Sequence, residues 1–170
     1  MNVAISTNGY SSKPSATLIP SIEFSNQDVN LFQLKQAIMN GHAISAVFRS
    51  KDKRYTQKQR KMDNIVGIQF VMIDIDDSSC ESIDKLIETL ILLPTMAYTT
   101  YSHKVKGNRY RLLYIFNDII TNVDVYRQLY DQIVEKNNLQ CDPCGSNPAQ
   151  MILGTNGQMA DIRTFDKTYS

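Results

Sequence analysis

Between Val66 and Ile75 the chain reads VGIQFVMIDI, a mostly apolar run that fits a central strand covered on both faces. The run closes on Ile73-Asp74-Ile75-Asp76. Strand alternation turns both isoleucines to one face and both carboxylates to the other. Two carboxylates about 7 Å apart at the C-terminal end of such a strand repel each other unless a cation or another partner joins them. Magnesium suits the pair, because it takes oxygen ligands and completes its shell with water and substrate phosphates. The alternative is a strand that runs out into solvent, with Asp74, Asp76 and Asp77 as turn residues, since Asp-Asp-Ser-Ser is good turn and cap chemistry.

The elements after this strand follow a recognisable order. Ser78 with Glu81 resembles a capping box, and Ile83, Leu86, Ile87, Leu90 and Ile91 form one apolar stripe that Pro94 ends. Met96 to Tyr101 reads as a strand, a turn holds Gly107 and Asn108, and Tyr110 to Phe116 reads as the next strand. Thr121 or Asn122 starts a helix to about Lys136 with Val125, Leu129 and Ile133 on one side, and Met151 to Leu153 closes the set. Residues 158 to 165 can add a further strand. The order β-α-β-β-α-β is that of the ferredoxin-like or RNA-recognition-motif fold, an α+β architecture.

Upstream, Val3 to Ile5 is a short strand, and residues 8 to 20 form a loop rich in Ser, Gly and Pro. Ser25 or Asn26 caps a helix from about Gln27 to Met39, which Gly41 ends; Ala43 to Phe48 is a strand. The N-terminus lacks a signal peptide pattern, no apolar run spans a bilayer, and three cysteines do not suggest a disulfide framework; a cytoplasmic protein away from membranes is expected.

Net charge is only +1, yet seven of the 18 basic residues fall between Arg49 and Lys61. Of these, Lys51, Lys53, Arg54, Lys58, Arg60 and Lys61 can meet a polyanion, with Tyr55 available to stack on a base. The alternative is a solvated loop whose charges only aid solubility.

Three further groups belong at the sheet edge where the DxD strand ends. The strand ending in Tyr101-Ser102-His103 runs parallel to it, one strand away, so His103 can reach the same cleft. Arg109 and Arg111 share a face at the start of the intervening strand, where they can clamp phosphate or form a cross-strand salt-bridge ladder. Asp142, in Cys141-Asp142-Pro143-Cys144, precedes the closing strand, which should pair with the DxD strand, and can supply a third acidic ligand. Cys141 and Cys144 have CxxC spacing, but a zinc site needs about four ligands. Only Cys80, His42 and His103 remain to complete one, so zinc is not expected.

Together, FVMIDIDD, TTYSHK, RYRLLYIF and CDPCGSNPAQMILG resemble the archaeo-eukaryotic primase superfamily, the primase–polymerases, over residues 66 to 155. The family carries a DxD or DxE motif on a hydrophobic strand, an SxH motif and a later single acidic residue. These correspond here to Asp74 and Asp76, to Tyr101-Ser102-His103, and to Asp142. In the second, His103 directly follows Ser102, and Lys104 stands where a strict S-x-H has histidine.

The resemblance implies a DNA primase, a template-directed nucleotidyltransferase using magnesium or manganese, with single-stranded DNA and NTPs or dNTPs as partners. TTYSHKVKGNRYRLLYIF looks especially like replication primases of phages, plasmids and other mobile elements, which often work beside a helicase in cis or trans. On this reading Asp74, Asp76 and Asp142 hold two metal ions, Ser102 and His103 contact the triphosphate, and Arg109 and Arg111 neutralise phosphate charge. The resemblance also implies a split active site between a small N-terminal α/β lobe, 1–64, whose basic loop would hold template, and an RNA-recognition-like lobe, 65–170. The rivals are a non-catalytic single-stranded nucleic-acid-binding replication protein, a rolling-circle replication nuclease, and a nucleotide cyclase-like domain. The first lacks a clear aromatic pair on its central strands, and the second lacks a His-hydrophobic-His pair.

Overall fold

The computed structural model describes residues 1–50, 54–56 and 60–170. Strand β1 (Asn2–Gly9) pairs antiparallel with β2 (Phe24–Asp28) on one side and β3 (His42–Ser45) on the other. Helix α1 (Leu31–Met39) connects β2 to β3. The chain then crosses into a second antiparallel sheet of β4 (Val47–Phe48), β5 (Ile65–Ile75), β6 (Met96–Thr99), β7 (Tyr110–Ile120) and β8 (Ile162–Thr164). Its strand order is β4-β5-β7-β6-β8, with α2 (Ile83–Thr89) following β5 and α3 (Val123–Lys136) following β7.

The apolar run is the strand β5, with Gly67 through Ile73 all buried. Gln69 is the polar residue inside it, and its amide is fully employed. The carbonyl accepts from the Asn2 N–H at 2.7 Å, and the Nε2 donates to the Phe116 and Asn117 carbonyls at 3.3 and 2.9 Å. This one side chain ties β1 to the second sheet, and satisfying it in this way is what makes its burial tolerable.

β5, β7 and β6 stand in the order expected of the RNA-recognition topology, and β5 and β6 run parallel with β7 between them. The place beside β5 is filled differently. Ile152 pairs with Ile44 of β3 rather than with β5, so Met151 to Leu153 is not the closing strand of this sheet. Beside β5 lie β4 at its start and a single bridge, Asp74 to Asp142, at its end.

Other boundaries also differ from those read in the sequence. The helix expected from Gln27 starts at Leu31, because Asn30 and Gln33 form its capping box and Phe24–Asp28 pairs with β1 instead. Residues 43 to 48 are split between two sheets at Ala46. Ser82, not Ser78, caps α2 through the Lys85 N–H; Ser78 accepts from Cys80 N, and α2 ends at Thr89, before Pro94. Asn122 caps α3 as expected, but Tyr126, Tyr130 and Ile133 face the core while Val125 is exposed. Among the described residues no helix is long and apolar enough to cross a membrane.

Candidate active site

The register of the second sheet builds the site. Asp74 of β5 lies opposite Arg111 of β7, which lies opposite Tyr98 of β6, so the three side chains form one cross-sheet row. Asp74 Oδ2 accepts from Arg111 Nη2 at 2.7 Å, and the Arg111 guanidinium sits 5.9 Å from the Tyr98 ring centre. Arg111 Nη1 donates to the Leu153 carbonyl at 2.8 Å. Two residues on from Asp74 and two residues before Arg111, Asp76 and Arg109 meet at 3.0 Å. The cross-strand ladder weighed as an alternative for the two arginines is therefore formed, and its acidic rungs are the DxD carboxylates themselves.

Asp142 reaches the same edge through its backbone, whose N–H donates to the Asp74 carbonyl at 2.9 Å. Its Oδ1 accepts from Cys144 N at 2.8 Å and so caps the short 3-10 turn Pro143–Ser146. The buried tyrosines of α3 fasten that turn: Tyr130 donates to the Asp142 carbonyl at 3.0 Å and Tyr126 to the Gly145 carbonyl at 2.7 Å. Gly145 lies so close to β5 that a Cβ there would come within 2.3 Å of the Met72 carbonyl oxygen. Cys141 and Cys144 are free thiols. Burial first, and the contact with Asp142 second, push the Cys144 thiol up to about 12, so it stays protonated and unreactive at neutral pH.

Asp74, Asp76, Asp142, Ser102, Arg109 and Arg111 line one cavity of about 200 Å³. The motif reading did not include Lys13, which also lines it. Nothing in its Ser- and Pro-containing loop marked it, because its position depends on contacts with remote residues. Burial raises the pKa of Asp76, Arg109 pulls it back, and Asp74, Asp142 and Asp77 push it up again. One Asp74 oxygen, Oδ1, is buried without a hydrogen-bond partner among the described residues.

His103 lies beside this cavity rather than in it. It lines a neighbouring cavity of about 440 Å³ that shares Lys13, Thr100 and Tyr101 with the first. β6 ends at Thr99, and Tyr101 to Gly107 turn away, with positive φ at Lys104 (61°) and Gly107 (97°). The His103 ring packs 5.0 Å from that of Tyr110, and its Nδ1 accepts from the Arg109 N–H at 3.1 Å, which only the unprotonated nitrogen can do. Burial, then the charge of Lys104, lower its pKa from the ordinary 6.5. A depressed folded value means that the unfolded chain binds the proton more readily, so this contribution to stability is lost as pH falls below about 6.5. Wild type should therefore lose stability on acidification more steeply than His103→Gln in denaturant titrations across that range. Equal pH dependence would refute this assignment.

Of the basic loop, Lys51, Lys53 and Lys58 lie outside the described residues. Tyr55 is not available for stacking: it is buried between Phe24 and Phe48, and its hydroxyl donates to Asn26 Oδ1 at 2.8 Å. Its backbone exchanges hydrogen bonds with Phe24. Arg60 lies over the Phe24 ring at 5.0 Å, and burial lowers its pKa. Arg54 sits 3.7 Å from Glu23 at the surface, and Lys61 is exposed. Tyr55→Ala should cost about 3–5 kcal/mol in chemical denaturation, as large aromatic truncations in a core do. A cost near zero would return Tyr55 to the surface.

A search of solved structures finds the AEP domain of the primase-polymerase of cyanophage S-2L. The match has a TM-score of 0.54 and 12% identity, over 99% of this chain and 83% of that one. At that identity the likeness is one of fold. No family model matches the chain, and no curated protein matches it in sequence.

Proposed function

We propose that this chain is a metal-dependent nucleotidyltransferase of the primase type, making primers on single-stranded DNA from nucleoside triphosphates. The observation that carries the reading is the convergence of Asp74, Asp76 and Asp142 with Ser102, Arg109 and Arg111 on one cavity, in a fold shared with a primase-polymerase domain.

The residues fit a hard cation. Asp74 offers an unpartnered oxygen, and Asp76 is a carboxylate whose charge is disfavoured by burial and by its acidic neighbours. As the side chains stand, no three His, Cys, Asp or Glu groups among the described residues could hold an ion together. Magnesium commonly needs only one or two carboxylates, with water and substrate phosphate making up the rest. Asp74 and Asp76 would hold it, with Asp142 beside them. Magnesium or manganese bound there would stabilise the charge that builds on the α-phosphate during attack by a 3′-hydroxyl.

The protein groups divide the remaining work. Arg111 is enclosed, tied to Asp74 and to the Leu153 carbonyl, and serves as the fixed counter-charge of Asp74. Arg109 is less enclosed, so it can exchange Asp76 for a phosphate oxygen as the nucleotide arrives. Ser102 stands on the cavity wall, where its hydroxyl can donate to the triphosphate. His103, one cavity away, would act on the nucleotide only beyond the carboxylate site. Template would approach from the side of the basic segment around Arg54 and Lys61. Service in the replication of a mobile element, beside a helicase, belongs to the same proposal.

The test is primer synthesis on single-stranded DNA with labelled ribo- and deoxyribonucleotides, in magnesium and in manganese. We expect products that vanish on chelation. DNA binding that survives chelation, with no product under any condition, would leave a non-catalytic binding protein instead.

A further inference from the structure

The cavity is acidic on one side, and both of its arginines are already engaged by its own aspartates. Lys13 also lines it, and among the described residues Lys13 makes no ion pair, although three carboxylates border the same space. Lys13 is exposed at the edge of this 200 Å³ cavity and lies outside ion-pair distance of its three aspartates, which leaves a gap between opposite charges. A polyphosphate is the kind of ligand that bridges such a gap.

The backbone carrying Lys13 is fastened at several points. Tyr10 N donates to the Gly41 carbonyl at 3.1 Å, and the Tyr101 hydroxyl donates to the Tyr10 carbonyl. Asn156 Nδ2 donates to the Ser11 carbonyl at 3.2 Å, and Pro14 is buried. Gly41, at φ +78°, permits this approach: a Cβ there would stand 1.8 Å from the Tyr10 carbonyl oxygen. Residues 10–14 are thus a strap drawn from the first sheet across to the segment that follows β6.

We propose that this strap delivers Lys13 as a phosphate-binding residue for the incoming nucleoside triphosphate, opposite Asp74 and Asp76. The assignment rests on the nucleotidyltransferase reading above. A lysine ammonium is a compact charge on a flexible stem, suited to following phosphate oxygens that move as pyrophosphate leaves.

The full chain, titrated with magnesium-ATP and magnesium-dATP, tests it. Lys13→Ala should weaken binding about tenfold, and Lys13→Arg should stay within about threefold of wild type, as a charge-assisted hydrogen bond implies. Affinity of wild type should also fall more steeply with added salt than that of Lys13→Ala. Tyr101→Phe, which frees the strap while leaving the charge in place, should give an intermediate loss. Wild-type affinity in Lys13→Ala, or equal losses in the Ala and Arg variants, would overturn the role of Lys13 alone. Failure of wild type to bind either triphosphate would instead bring down the nucleotidyltransferase reading, and this role with it.

Discussion

Asp76→Asn should abolish metal-dependent primer synthesis while leaving the folded protein as stable as before. Asparagine keeps the shape of the side chain but cannot supply an anionic oxygen, so on the proposed function the several kcal/mol that a cation held there would contribute to the transition state would be lost. The expected fall in rate is about a thousandfold or more. Stability should not follow. Asp76 is partly exposed, its charged form is already disfavoured by burial and by neighbouring acids, and its pair with Arg109 is of the solvent-screened kind worth about 1 kcal/mol or less. Single-turnover synthesis together with urea denaturation separates the two effects. Synthesis retained at wild-type rate in Asp76→Asn would end the assignment of this pair as the catalytic carboxylates.

Asp74→Ala should differ from it in a telling way, losing both activity and stability. Arg111 is enclosed, with one nitrogen on the Leu153 carbonyl and its Nε buried without a partner among the described residues. Removing Asp74 leaves a buried cation with no counter-charge, which costs about 3–5 kcal/mol. Against a typical total of about 5–15 kcal/mol, that loss moves the denaturation midpoint far enough to be unmistakable. Adding Arg111→Met to Asp74→Ala should recover much of the stability and none of the synthesis. Coupling of this size is what a double-mutant cycle across a direct contact reports. If Asp74→Ala unfolds at the same urea concentration as wild type, the pair is not enclosed as described.

The parts of this fold that were legible in the sequence are those where a local pattern and the tertiary environment agree. The β5 run is apolar on both faces because it is covered on both, and α3 begins at Asn122 because an asparagine side chain can take its first amides. β2 was hidden because it is a short strand with only Phe24 buried, followed by SNQD, which reads as a helix start. Only pairing with β1, residues away in sequence, makes it a strand. The same non-local choice moved Ile152 from β5 to Ile44.

At the site, the DxD pair and the two arginines could be placed from alternation and strand order, because those rules fix which end and which face a residue occupies; Asp142 was placed through a closing strand that does not pair with β5, and it reaches this edge instead by its own backbone bridge to Asp74. Whether the arginines serve the substrate or the aspartates could not be read that way, since that depends on side-chain reach across the register. His103 turned aside because Lys104 and Gly107 adopt positive φ, a loop geometry that no periodicity encodes. Tyr55 looked like a stacking residue among basic neighbours, yet its ring is worth more to the core between Phe24 and Phe48.

The cavity wall carries Asp74, Asp76 and Asp142 against Lys13, Arg109 and Arg111, three charges of each sign at neutral pH. From a distance beyond about 8–10 Å of saline these largely cancel, so an arriving polyanion meets no net repulsive field at the mouth despite the acidic motif within. Close in, four of the six are joined as the pairs Asp74–Arg111 and Asp76–Arg109, which leaves Asp142 and Lys13 as the charges outside those pairs. On the proposed function, a nucleotide would therefore gain little from long-range attraction by the cavity's own charges, and its orientation after entry would decide whether it stays.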